Sequence, residues 1–440
     1  MFTCHVITLT SNISSVLNEM AFVKKIQVRQ NYAPWVSEGC KRDMNTRERA
    51  QEKAVASQEG EDWDEFRKIR NAVTRRVKKE KEDWMKTKMD RCEANSSTCW
   101  KNIMGWLGWA TTGSPTRLYS GFRVETSPNK MANIMNEFYI QKVANIRAAL
   151  PPPSVNPLSM LSSMLADCNT PEFTLQPVHP ATVDKIITNL SNSKASGLDY
   201  IDTYIIKLVK NEILPSITHI INTSIESGVF PEIYKRSRII PLLKDPKSDK
   251  MAPGSYRPVA LLPVCSKILE RVVYIQTRDH MSRNNLFHPN HHGFRANHSC
   301  STAILQMYDS WLEAIEQQEL VGLTLIDLSA AFDCVDVDLL LAKTRIYNFS
   351  RHTRQWIWSY MTGREQVTEI EGSSSSSLRV NVGVPQGSIQ GPLLYVLYTN
   401  ELPEVVHLLN CPHPNQQEQE QVHMPQYRLG DTECGALACR

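Results

Sequence analysis

The chain holds 11 cysteines in 440 residues, yet it has no Cys-x-x-Cys pair and none of the regular spacing of a small stapled domain. Thiols scattered in this way exclude a disulfide framework and fit a reducing, intracellular setting, nucleus or cytoplasm. No apolar run approaches the length needed to cross a bilayer, and Met1 to Leu17 lacks the basic start and long apolar stretch of a secretory signal. Low-complexity sequence is confined to the short serine run Ser373 to Ser377. A large excess of charge is also missing. At +3 the net charge is too small to establish a polyanionic partner, so that case rests on where the charges lie. The remainder is ordinary globular composition, 41% hydrophobic and 22% charged, on a length that suits roughly two or three domains.

Three segments follow from the distribution of residue types: a helical, charge-rich region over 1–150, a Pro-rich linker over 151–170 that opens with Pro151-Pro152-Pro153, and an α+β domain over 171–440. Within the first, Trp63, Phe66, Val73, Val77 and Trp84 recur at three-, four- and seven-residue steps, as on one stripe of a helix. Lysines and arginines crowd the positions between them. Two readings stay open: a solvated face with interleaved acids such as Glu80, Glu82 and Asp83, or a basic arm lying along nucleic acid.

In the third segment, Gly197-Leu-Asp199 reads as a turn and cap before a helix carrying Ile201, Ile205 and Leu208. Ile239 to Leu243 is a short strand, Lys244 to Gly254 a polar loop, and Val259 to Leu262 apolar again. Helices are expected at Ser266 to Val273 and around Ile304 to Ile315, then a strand at Val321 to Ile326. A hairpin is expected from Gln366–Ile370 and Leu378–Val382. Strands and helices mixed in this order give an α+β fold.

Asp327 ends the apolar run Leu323-Thr-Leu-Ile, which suits a buried central strand. A carboxylate leaving such a strand is costly unless it is paired, hydrogen-bonded or bound to metal; its plainest alternative role is to cap the following turn. Phe332 follows five positions later, and Gly383-Val-Pro-Gln386-Gly387-Ser388 supplies a turn ahead of an apolar helix.

In this order, Asp327 to Phe332 and Gly383 to Ser388 with Gly391-Pro392 resemble motifs A and B of the reverse transcriptases of non-LTR (LINE-like) retrotransposons. The resemblance extends through Lys194-Ala-Ser-Gly-Leu-Asp199, Tyr256-Arg257-Pro258 with Lys267-Ile-Leu-Glu270, and Gly293-Phe294-Arg295, collinear over roughly 180–405. It implies the fingers and partial palm of a right-hand polymerase, preceded by a helical connector. The implied activity is RNA-templated addition of deoxynucleotides to a DNA 3′ end, with RNA template, DNA primer and deoxynucleoside triphosphates as partners. The implied cofactor is magnesium, with manganese a substitute.

By that resemblance Asp327 would ligate both ions and the Leu328 carbonyl would add an oxygen ligand. Phe332 would lie under the incoming sugar and exclude a 2′-hydroxyl by clash. Gln386 and Gly387 would flank the nucleotide, while Arg257 and Lys244 would meet its triphosphate. Lys194, Arg238 and Arg295 would contact the template–primer in a finger region rich in basic residues. Asp333, Asp336 and Asp338 are read as capping or decorating the helix that begins near Val337, not as further metal ligands.

The family pattern is not complete. No Asp-Asp pair follows Gln386, and the thumb has no counterpart, so the chain is expected to be truncated before the second carboxylate pair and inactive alone. Gln390 and Glu401 depart from the residues usual at their positions. His407, Cys411, His413, His423, Cys434 and Cys439 match no standard zinc spacing and are read as an irregular polar segment. His288, His291 and His292 are read as a solvated loop. The rival to an enzyme is a non-catalytic nucleic-acid-binding remnant using the connector and basic fingers.

Overall fold

The computed structural model describes residues 2–20, 35–90, 114–121, 123–153, 156–159, 170–192, 195–319, 321, 323 and 325–403. They belong to two compact units, one of Met1–Met20, Ser114–Leu242 and Asp249–Arg440, the other of Ala21–Gly113 and Leu243–Ser248. In the first, α1 (Phe2–Met20) buries Val6 and Ile13 in the same apolar core as the later helices.

The second unit is built on a helical hairpin, α2 (Glu38–Ser57) and α3 (Gly60–Asp90). Ser37 starts α2 by accepting from the Cys40 N–H, and Gln58 ends it in the left-handed region at φ 55°. Phe66, Val73 and Met85 of α3 and Cys40 and Ala54 of α2 are buried. Trp35 and Trp84 meet at 5.8 Å, and the Glu80 carboxylate accepts from the N–H and hydroxyl of Ser37 at 2.9 and 2.7 Å. The apolar stripe read from the sequence is thus partly the seam of this hairpin.

The larger unit continues with the antiparallel pair β1 (Leu118–Ser120) and β2 (Arg123–Glu125), then α4 (Pro128–Ala149), α5 (Pro180–Asn189), α6 (Thr203–Leu208) and α7 (Lys210–Ser227). Next come β3 (Arg236–Leu243), β4 (Tyr256–Leu261), α8 (Val264–Arg283), α9 (Cys300–Glu316), α10 (Val337–Ile346) and α11 (Arg351–Met361). The described part closes with β5 (Arg364–Ile370), β6 (Ser373–Ser374), β7 (Leu378–Val380) and α12 (Gln390–Thr399). The main sheet runs β4-β3-β5-β6, with β7 also on β5. β3 and β5 are parallel, with Arg238 opposite Val367, which forces a long crossover; α8 to α11 supply it. β5 and β7 are antiparallel, as the expected hairpin requires.

Parallel and antiparallel pairing in one sheet beside many helices makes this an α+β fold, as the element order indicated. The caps are legible locally. Asp336 accepts from the N–H groups of Asp338 and Leu339 to start α10, and Ser299 with Thr302 forms a capping box on α9. The core is helical: Trp356 stacks on Tyr360 at 5.6 Å and meets Phe230 edge-on at 5.5 Å, while its indole N–H donates to Ser224 at 3.0 Å.

One expected element does not form. The run Val321 to Ile326, expected as a buried central strand, has no strand structure at its described positions, and Leu325 and Ile326 are 69% and 58% exposed. An apolar run becomes a central strand only when neighbours complete its ladder and cover its faces, and no described strand pairs with it. Trp356→Ala should cost about 3–5 kcal/mol by opening a cavity among Phe230, Tyr360 and Ser224. Denaturant unfolding checks this, and a loss below about 1 kcal/mol contradicts the packing described.

Candidate functional site

The Pro385-Gln386-Gly387-Ser388 turn is held from three sides, which fixes it far more tightly than its loop-like sequence suggests. From β4, the Ala260 N–H donates to the Gln386 carbonyl at 2.8 Å. From the stretch before α10, the Phe332 carbonyl accepts from the Val384 N–H and the Val335 carbonyl from the Gly383 N–H, each at 2.9 Å. Side chains repeat the link, since the Gln386 amide donates to the Asp333 carboxylate at 2.6 Å. Gly387 adopts φ +125°, and a Cβ there would lie 2.5 Å from the Ala260 carbonyl oxygen, so only glycine allows this approach.

The third support is Glu270. It is fully buried on α8, and its carboxylate accepts from the N–H groups of Ile389 and Gln390 at 2.8 and 3.2 Å, at the start of α12. It also accepts from the Ser266 hydroxyl at 2.9 Å and the Tyr360 hydroxyl at 3.3 Å. A carboxylate at a helix N-terminus satisfies orphan donors and complements the helix dipole, and the bonds offset the desolvation of the charge. Ser388 adds a local cap by accepting from the Gly391 N–H at 2.9 Å.

Phe332 stands half-buried beside this turn. Its ring stacks on Tyr395 of α12 at 4.6 Å and 17°, and meets Phe294 edge-on at 5.7 Å. A cavity of about 490 Å³ lies next to Phe294, lined also by Arg278, Phe287, Arg295 and Leu393. Burial raises the carboxyl of Asp333 above its ordinary value, opposed by the bond from Gln386 and the charge of Lys142.

The structure brings together Phe332, Gln386 and Gly387 of the expected residues. Asp327 and Leu328 are exposed and carry no described bond to that cluster. Arg257 is exposed on β4. Lys244 is exposed in the Leu243–Ser248 stretch that belongs to the other unit. Arg238 pairs with Glu369 at 3.5 Å and lies over the Tyr200 ring at 5.0 Å, so its charge already has a partner within the fold. Arg295 donates to the His288 and His291 carbonyls at 2.8 and 2.9 Å and lies over Phe287. Lys194 lies outside the described residues, as do His407 through Cys439.

The loop of His288, His291 and His292 is half-buried, with His292 bonded to Thr302 and Gln306 of α9, so it is a structural bracket in place of the solvated loop expected. Asp336 caps α10, as read, and is tied to Arg147 at 2.9 Å, whereas Asp333 serves the turn and not the helix. The Glu401 carboxylate accepts from Lys343 at 2.6 Å and from Tyr347, so packing at that unusual position is satisfied.

Sequence reasoning missed Glu270 and Tyr395 as parts of the site. The available signal for Glu270 was an acid set among Ile268, Leu269, Val272 and Val273 of α8.

A metal ion has little to hold it here. Among the described residues no group of three or more His, Cys, Asp or Glu is arranged to bind one, and Asp327 stands alone. They do not form a two-ion site.

A family profile described as reverse transcriptase (RNA-dependent DNA polymerase) matches residues 244–423. The chain is 29% identical over 336 residues to "RNA-directed DNA polymerase from mobile element jockey" of Drosophila funebris, covering 75% of this chain and 35% of that protein. It is 29% identical over 236 residues to "Probable RNA-directed DNA polymerase from transposon X-element" of Drosophila melanogaster, covering 53% of this chain and 25% of that protein. The jockey protein of Drosophila melanogaster is 26% identical over 342 residues, covering 76% of this chain and 36% of that protein. The alignments thus span 25–36% of these relatives' lengths.

Asp333 makes a pH test possible. With its carboxyl raised by burial, its contribution to stability is full below the ordinary value of 3.8 and is lost as pH rises through the folded value. Asp333→Asn keeps an acceptor for Gln386 and cannot ionise. Its stability relative to wild type should therefore climb as pH rises from 3.8 toward neutrality; a difference flat with pH contradicts this.

Proposed function

The chain carries a reverse-transcriptase domain of the non-LTR retrotransposon kind, and from that premise we propose that the turn beside Phe332 is where an incoming deoxynucleotide sits during RNA-templated DNA synthesis. In this reading 171–440 comprises the fingers and part of the palm, 1–150 a helical connector and 151–170 a linker. RNA template, DNA primer and deoxynucleoside triphosphates are the partners, inside the cell, in nucleus or cytoplasm. No described helix is long and apolar enough to cross a membrane.

The observation that carries the reading is the interlock of Phe332 to Val335 with Gly383 to Gln386, which brings an aromatic ring and a glycine turn together on a rigid support. The ring packs against Tyr395 and Phe294, so in this reading a 2′-hydroxyl above it meets an aromatic wall. The Gly387 backbone offers close approach to a substrate without a side chain between. Arg257 supplies an exposed guanidinium for phosphate oxygens.

Reverse transcriptases depend on a divalent metal, and magnesium is the ion proposed here, with Asp327 and the Leu328 carbonyl as its ligands. The described residues do not complete a two-ion site, so no step is routed through it.

The exposed, solitary Asp327 favours a second reading, a nucleic-acid binder without catalysis. Primer extension on an RNA template with magnesium separates the two: extension abolished by Asp327→Asn excludes binding alone, and no extension by the intact chain excludes autonomous catalysis.

The nucleotide site is tested without turnover. Equilibrium binding should favour dATP over ATP by about tenfold or more, and Phe332→Val should erase most of that preference. Equal affinity for the two in the intact chain contradicts the assignment.

A further inference from the structure

We propose that the solvent face of α3 is a docking surface for the phosphate backbone of double-helical nucleic acid, separate from the site around Phe332. Between Arg67 and Lys79 the chain carries seven lysines and arginines and no acid. A merely solvated helix face interleaves opposite charges at three- and four-residue steps, and like charges packed this closely repel one another.

The packing of the hairpin sorts these cations into two sets. The acids that reach across it are used near the seam: Asp43 and Glu80 take Arg76, and Asp62 takes Lys53 at 2.8 Å. Asp64 takes Arg67 at 2.9 Å. Lys68, Arg75, Lys79 and Lys86 are left exposed, with no described residue bonded to them. At about 100° per residue, their seven-, four- and seven-residue steps keep the four within about 40° of one another, opposite buried Phe66 and Val73. The stripe extends about 27 Å along the axis. Within the length of the stripe, Glu82 borders it on one edge, with Lys78 farther round on that same side, and Asp83 borders the other edge.

The same face argues for the kind of partner. A helix that lies on a membrane needs exposed apolar residues beside its cations, and among the described residues none of the exposed large hydrophobic side chains lies on α3. Single-stranded binding surfaces present aromatic rings for base stacking, whereas Trp63 and Trp84 are half-buried and Phe66 buried. A straight row of flexible cations without rings contacts phosphates and reads no bases.

The test uses the full chain and a short DNA duplex, with affinity measured across a salt series. Each phosphate contact contributes about 0.9 to the slope of log K against log salt. Replacing Lys68, Arg75, Lys79 and Lys86 together by alanine, which keeps helix propensity, should reduce the slope by about 3–4 and leave the unfolding temperature nearly unchanged. An unchanged slope overturns the proposal, as does loss of binding to phosphatidylserine vesicles with duplex binding intact. The dATP-over-ATP preference should survive in the same variant, so failure of the stripe and failure of the nucleotide site are distinguishable.

Discussion

A carboxylate without solvent has to find its donors inside the fold, and Glu270 finds them on three helices at once. It sits on α8, takes the hydroxyl of Tyr360 from α11 and the first N–H groups of α12, and is steadied by Ser266 one turn before it. Breaking such a set by removing one partner leaves a buried charge or unpaired donors, typically a loss of several kcal/mol. The position of α12 therefore depends on α8, and α12 in turn brings Tyr395 against Phe332. The turn that ends at Ser388 has little freedom left, because β4 and the stretch before α10 hold its other side. Burial around Glu270 and the negative charge beside it also raise the Tyr360 hydroxyl, which keeps that group a donor.

Much of this was legible from residue order. Asp336 before Val337 announced the start of α10, and the apolar run of β3 and the hairpin pattern of β5 with β7 announced strands, because caps and local pairing act over a few residues. Glu270 was not legible as a support. Its partners at Ile389 and Gln390 lie 119 and 120 residues away, and an acid among apolar residues of a helix looks the same whether it faces water or a distant helix start. Arg238 and Arg295 illustrate the converse. Their charge suggested a polyanion, but Glu369 in one case and backbone carbonyls in the other already satisfy them.

The run before Asp327 shows where local pattern and tertiary context part. Leu323, Leu325 and Ile326 have the composition of a buried strand, and the sequence reading placed Asp327 at its end. Their exposure leaves that carboxylate without a described strand partner, while the turn beside Phe332 is braced by hydrogen bonds on several sides. The two proposed parts thus differ: the turn is joined by backbone hydrogen bonds, and the run before Asp327 is not paired among the described residues.

Native-state hydrogen exchange at the amides of Val384, Ile389 and Gln390 examines the bracing directly, because their acceptors are the Phe332 carbonyl and the buried Glu270 carboxylate. Exchange as slow as that of the central amides of α8 is expected, since opening any of the three disturbs the same helix junction. Exchange at the rate of an exposed loop would contradict the claim that Glu270 and the Phe332 stretch hold the turn in place.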